Sequence, residues 1–156
     1  MTSSSLALDP VTRAHLKRRM CKDLATSLAA LATCCKRQVG CVLATPDFRY
    51  LLTGYNGPAS GEDFCDGKGE PDPCLHAEVN ALLKIRTEYT DMICFVTCAP
   101  CEKCAGYIIN SKAICEVVIQ MPVGHDHNVS WLGIDRLRNA GIRVGFDVSW
   151  TQACTF

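Results

Sequence analysis

The chain has 156 residues, 48% hydrophobic and 21% charged, enough for one domain with its own core and ordinary for a globular protein. Its 16 basic residues balance 16 acidic ones, which argues against a long nucleic-acid ligand, whose binders carry a basic face. No stretch approaches the ~20 apolar residues of a membrane span, and the first residues lack the basic-then-apolar order of a secretory leader, so a cytoplasmic protein without nucleic-acid or membrane partners is expected.

Residues 1–9 are Ser-rich and expected to be flexible, with one domain over 10–156. Pro10 opens a helical pattern in which Leu16, Met20, Leu24, Leu28 and Leu31 share one face. Residues 39–44 read as a buried strand, Pro46-Asp47 as a turn and 49–53 as the returning strand. The stretch 54–74 is rich in Gly, Pro, Asp and Glu and reads as a long loop, a length that in a small domain is usually functional or tied down. Then follow a helix over 76–86, a strand over 92–97, a helix over 101–110 and a strand over 114–120. A helix over 132–139 stops at Gly141 and precedes a last strand over 142–148. Strands separated by helices imply parallel pairing with helices on both faces of the sheet, and the opening hairpin adds an antiparallel edge.

Twelve cysteines is a high count. In a cytosolic chain, clustered cysteines point to metal or catalysis rather than disulfides. Cys21, Cys41, Cys94 and Cys115 read equally well as small buried hydrophobes. The strongest signal is His76-Ala77-Glu78 followed by Pro100-Cys101-Glu102-Lys103-Cys104. Two cysteines three apart at a helix start can aim both sulfurs at one point, where the helix dipole favours thiolate. His76, at the start of another helix, completes a trio. Three protein ligands leave a fourth position on zinc for water, the catalytic arrangement, and zinc lowers that water's pKa towards ~7. Glu78 can face the same cavity without binding metal and shuttle protons. This H-x-E then P-C-x-x-C order is the signature of zinc nucleobase deaminases. Cys98 is a nearby competitor for the metal that reads as packing or pocket wall.

With these motifs in place, the chain resembles the deoxycytidylate (dCMP) deaminase family of the cytidine deaminase superfamily, including bacterial and phage members. The resemblance runs from about Met20 to Val144. It takes in Cys34-Cys35-Lys36-Arg37-Gln38-Val39-Gly40, Gly54-Tyr55-Asn56-Gly57, His76-Ala-Glu-Val-Asn80-Ala81 and the Val96 to Ala105 segment, and it ends in the stretch from Trp131 to Val144. The resemblance implies a three-layer α/β/α sandwich around a five-stranded mixed sheet. It implies a catalytic Zn²⁺ on His76, Cys101 and Cys104, with Glu78 as proton shuttle, and conversion of dCMP to dUMP and ammonia for thymidylate synthesis. Asn56 would bind the deoxyribose hydroxyl, and backbone near Ala77 and Ala99 would meet the pyrimidine edge. Lys84 and Arg86 are candidates for phosphate contact, or solvated helix charges. A homo-oligomer is implied, hexamers being common in the family.

Some phage relatives carry metal ligands at or near the places of Cys34, Cys65 and Cys74, which implies a second, structural zinc. The physical motive is the long polar loop, which such an ion would fix. Cys35 or Asp66 is nearest in sequence as a fourth ligand, and free thiols are the alternative. Competing functions are deamination of dCTP, a modified cytosine nucleotide or a nucleoside, and a non-catalytic zinc module. The glutamate in the shuttle position favours an enzyme.

Overall fold

A computed structural model describes residues 7–63, 65, 73–122 and 130–151. Residues 1–6 of the expected flexible N-terminus lie outside them. In chain order the elements are α1 (Pro10–Ala29), β1 (Gly40–Ala44), β2 (Leu51–Tyr55), α2 (Ala77–Leu82), β3 (Met92–Val96), α3 (Glu102–Ser111), β4 (Ile114–Met121), α4 (Trp131–Asn139) and β5 (Arg143–Thr151). Asp9 caps α1 by accepting from the Val11 and Thr12 amides, and Pro10 supplies a first residue that needs no amide partner. Gly141, at φ 84°, turns the chain out of α4 in the left-handed conformation that glycine tolerates.

The strands form one sheet ordered β2-β1-β3-β4-β5. β1 is antiparallel to both β2 and β3, while β3, β4 and β5 are parallel. Alternation along the central strands divides the core. Cys41 and Leu43 of β1, with Met92, Cys94 and Val96 of β3, face Ala77, Ala81, Ala105, Ile108, Ile134 and Leu137 of α2, α3 and α4. Val42, Ala44, Ile93 and Phe95 face Cys21 and Ala25 of α1, together with Trp150. Three helices on one face and α1 on the other make the three-layer α/β/α sandwich around a five-stranded mixed sheet. Burying a side chain of the size of Phe95 or Leu43 contributes roughly 1.5–3 kcal/mol.

Of the α1 stripe, Leu24 and Leu28 pack against the core, while Leu16, Met20 and Leu31 are exposed. The sheet side of α1 also carries Cys21, Lys22 and Ala25. Small residues bring the helix so close that a Cβ on Gly40 would meet the Ala25 carbonyl. Lys22 turns inward because Asp147 Oδ2 accepts from its Nζ at 2.8 Å and Ser149 Oγ accepts at 2.9 Å. Arg18 lies over the Phe95 ring and pairs with Glu116 at 2.6 Å. Paired charges thus take places that hydrophobic spacing alone assigns to leucines. In addition α2 stops at Leu82, short of the expected Arg86.

Candidate metal centre and cleft

β3 runs into Thr97-Cys98-Ala99-Pro100, and Cys101 then caps α3 through its own sulfur, which accepts from the Cys104 amide at 3.4 Å. Cys104 follows in the first turn and is buried. His76 caps α2 from the neighbouring connection with no side-chain bond to the helix, which leaves its ring to other partners. His76 Nδ1 lies 3.2 Å from Cys104 Sγ and 3.5 Å from Cys101 Sγ. One ligand atom from each of the three falls within 4.8 Å of the others. Two thiols and an imidazole are a donor set suited to zinc.

The electrostatics fit a cation. Hydrogen bonds from Cys104 and His76 pull the Cys101 thiol down to about 3. Cys104 is pushed up by its hydrogen bond to Cys101, then by burial and the nearby Glu78 charge. A divalent ion would favour the thiolate form of both sulfurs. Glu78, in the first turn of α2, is only 4% exposed, and burial pushes its carboxyl up to about 7.

The two motifs that flank this centre hold each other. Asn80 Nδ2 donates to the Tyr55 carbonyl at 2.8 Å, tying α2 to the end of β2. A Cβ on Gly54 would run into the Ala77 carbonyl, so glycine there lets α2 lie directly on β2. Gly133 plays the matching part for α4, which packs onto the Pro100 carbonyl ahead of Cys101. His76 and Glu78 on one side, and Cys101 and Cys104 on the other, thus ride on closely packed elements.

Over this floor opens a cleft of about 190 Å³. Asn56, Ala77, Glu78 and Ala99 line it, as do His76 and Cys101. Asn56 is buried and its amide is engaged: Oδ1 accepts from the Val39 amide and Nδ2 donates to the Arg37 carbonyl, each at 2.7 Å. Cys98 stands in the cleft wall, where its sulfur accepts from Arg37 Nη1 at 3.0 Å. Lys84 and Arg86 are not among the lining residues. Lys84 Nζ donates to the Thr53 carbonyl, and Arg86 pairs with Glu88 on the surface. Lys36, Arg37 and Ser130 line the cleft unforeseen. Two consecutive cations just ahead of an apolar strand were the available signal for the first two.

A second group stands beside the first. Cys34, Cys65 and Cys74 are all at least 91% buried and place their sulfurs within 4.8 Å of one another. Cys35 Sγ lies 3.9 Å from Cys65 Sγ. Asp66, the other expected fourth ligand, lies outside the described residues. Cys34 and Cys74 also line the cleft.

Comparison with known proteins agrees with this fold. The deoxycytidylate deaminase of Saccharomyces cerevisiae is 33% identical over 135 residues, covering 78% of this chain and 41% of that protein. Its Schizosaccharomyces pombe counterpart is 32% identical over 138 residues, with the same coverage of 78% and 41%. The chain therefore spans about two fifths of the length of the curated relatives it matches. The apo structure of dCMP deaminase from cyanophage S-TIM5 superposes with a TM-score of 0.71 at 24% identity, over 90% of this chain and all of that one. The same phage protein in complex with dCMP and dUMP gives 0.66 at 25%, again over 90% of this chain and 100% of that one. No helix among the described residues is long and apolar enough to cross a membrane. The family model for the cytidine and deoxycytidylate deaminase zinc-binding region matches residues 16–121, and the chain belongs to that family of zinc proteins.

Proposed function

We propose that the chain, as one domain from residue 10 onward, hydrolyses the exocyclic amine of dCMP to give dUMP and ammonia. One observation carries the reading: a buried carboxyl, Glu78, lines the same cleft as a thiol and imidazole set suited to zinc. His76, Cys101 and Cys104 would hold the ion. Bound there, zinc supplies Lewis acidity that makes a water acidic near neutral pH. The chain does the rest. A Glu78 carboxylate oxygen accepts a proton from the attacking water and hands it to the amine nitrogen leaving C4, so water enters and ammonia departs. Ala77 and Ala99 are small, and their place in the lining leaves room for the flat pyrimidine. Asn56 Oδ1 keeps a second lone pair beyond the Val39 bond, able to accept from the deoxyribose hydroxyl. The choice of dCMP draws on the names of the yeast relatives and on the ligands of the phage structure.

A second zinc on Cys34, Cys65 and Cys74 belongs to the same proposal, with Cys35 as fourth ligand after a side-chain rotation; the three buried sulfurs support it. The eleven described cysteines form no disulfides, which fits a reducing cytoplasm. Association into a homo-oligomer, a hexamer by family resemblance, is supported by the exposed Leu16, Met20 and Leu31.

The test is ammonia release by the zinc-loaded protein from dCMP, dCTP, deoxycytidine and cytidine. dCMP should give the highest kcat/KM. Equal turnover of the nucleosides would overturn the nucleotide assignment, and absence of ammonia from every substrate would overturn the reaction.

A further inference from the structure

We infer that Arg136 is a positioning residue for the turn that carries Cys101 and Cys104, holding the two sulfurs where a metal ion would meet them, an assignment that rests on the reading of that turn as part of the metal centre. Two helical glycines are the first observation. Glycine is among the least favourable residues inside a helix, so its presence there points to a close approach. Gly133, in the first turn of α4, is buried, and a Cβ on it would run into the Pro100 carbonyl and press on Cys101. Gly106, in the middle of α3, has the reciprocal contact. A Cβ there would lie 3.0 Å from Nη1 of Arg136 and 3.1 Å from its Cζ and Nη2, so the guanidinium is seated over that turn of α3. Each helix thus gives up a side chain to receive a group from the other.

The groups so received bracket one of the sulfurs. Arg136 Nη1 donates to the Glu102 carbonyl at 2.8 Å. Pro100 and Glu102 stand on either side of Cys101, so α4 holds the chain immediately before and immediately after that residue. Cys104 follows in the same first turn of α3. A carbonyl in a first helical turn accepts one amide from the helix, and its second lone pair is open to the guanidinium. A flat guanidinium suits the place, because its plane can lie over glycine while one N–H reaches the carbonyl. The base from which Arg136 projects is fixed: Ile134 and Leu137 are fully buried in the same core as Ala105 and Ile108 of α3. Ser130, the N-cap of α4, lines the cleft, so this contact also ties a cleft wall to the turn that carries the sulfurs. Donors held in place before the ion arrives lose less freedom on binding it.

The experiment titrates Co²⁺ into the metal-free protein and into Arg136→Met, Arg136→Lys, Gly106→Ala and the double variant Gly106→Ala/Arg136→Met. All are built on Cys65→Ser, so that the second sulfur cluster does not compete for the metal. The readouts are the Kd for Co²⁺, taken from thiolate-to-cobalt absorption, and the Tm of the metal-free chain. Arg136→Met should raise the Kd roughly threefold to tenfold, the range of one intramolecular hydrogen bond. Arg136→Lys, which keeps a donor and a charge, should recover part of that loss. Gly106→Ala should also raise the Kd, because its Cβ displaces the guanidinium, while the metal-free Tm holds or rises, because alanine favours the helix. The double variant should bind Co²⁺ no worse than Arg136→Met, since the glycine acts through the guanidinium. Should Arg136→Met fail to fold, Gly106→Ala carries the test. An unchanged Kd in folded variants would overturn the assignment and leave the metal centre standing. A Tm that falls in step with affinity in Gly106→Ala would overturn it too, leaving Arg136 a structural contact only. A parent protein that takes up no Co²⁺ would sink the centre and the assignment together. No turnover enters the readout, so the result is independent of which base is deaminated.

Discussion

The two sulfur clusters lie side by side on one cleft, yet they are built differently. His76, Cys101 and Cys104 come from the caps and first turn of two helices, and their exposure grades from an open imidazole to a buried thiol. Cys34, Cys65 and Cys74 come from connecting segments and are all buried. The first set has a protonatable carboxyl, Glu78, close enough for its charge to raise the Cys104 thiol. The second brings together three buried thiols, with a fourth, Cys35, 3.9 Å from Cys65. The contrast teaches that donors alone do not make a reaction centre. An open side and a proton carrier do.

Glu78→Gln breaks the comparison most sharply, because it takes the proton carrier from the first cluster and leaves every donor. Turnover should fall ~10²–10⁴-fold. Zinc content by mass spectrometry should stay at the wild-type level. A variant within a few-fold of wild type would show that the carboxyl is not the shuttle.

Cys65→Ser makes the complementary cut, in the cluster of three buried thiols and at a residue that does not line the cleft. The metal count should drop from about two per chain to about one, as expected for a closed site losing one ligand. Losing the site should cost roughly 1–3 kcal/mol, a fall in Tm of about 2–12 °C for a chain of this size. A wild-type count near one, unchanged by the substitution, would leave those thiols without metal.

A change on the far face of the sheet sets the baseline for both. Burial acts to raise the Glu116 carboxyl, but hydrogen bonds and charge from Arg18 and Arg143 outweigh it and hold the group below the usual 4.5. The folded state then binds fewer protons than the unfolded chain in that region. Its stabilising contribution is present above pH 4.5 and fades as pH falls through the folded value. Glu116→Gln should cost about 0.5–1 kcal/mol at pH 7 and less at pH 3, read by urea unfolding. An equal cost at both pH values would mean that packing, not charge, is lost.

Much of this layout was legible in the chain because it is written in local signals. The apolar runs of β1 and β3 are continuous because both faces of those strands are covered. The centre was legible because both halves of its motif open helices, so sequence spacing fixes direction. The inward face of α1 was not, because the partners that draw Arg18 and Lys22 inward, Glu116 and Asp147, lie 98 and 125 residues away. Lys84 and Arg86, candidates for phosphate contact or solvated charges, do not line the cleft. They follow α2 in sequence, but the helix ends at Leu82, and the cations that line the cleft, Lys36 and Arg37, come from the segment before β1. No periodicity carries that placement.

The contact of Gly54 with the Ala77 carbonyl has a consequence for engineering. His76 and Glu78 are two residues apart at the head of one short helix, so any force on that helix moves the imidazole and the carboxyl as a rigid pair. Gly54→Ala would lift the pair away from Cys101 and Cys104 together. Variation of the cleft should therefore leave Gly54 alone and work through Ala99, a lining residue that stands ahead of a different helix, α3.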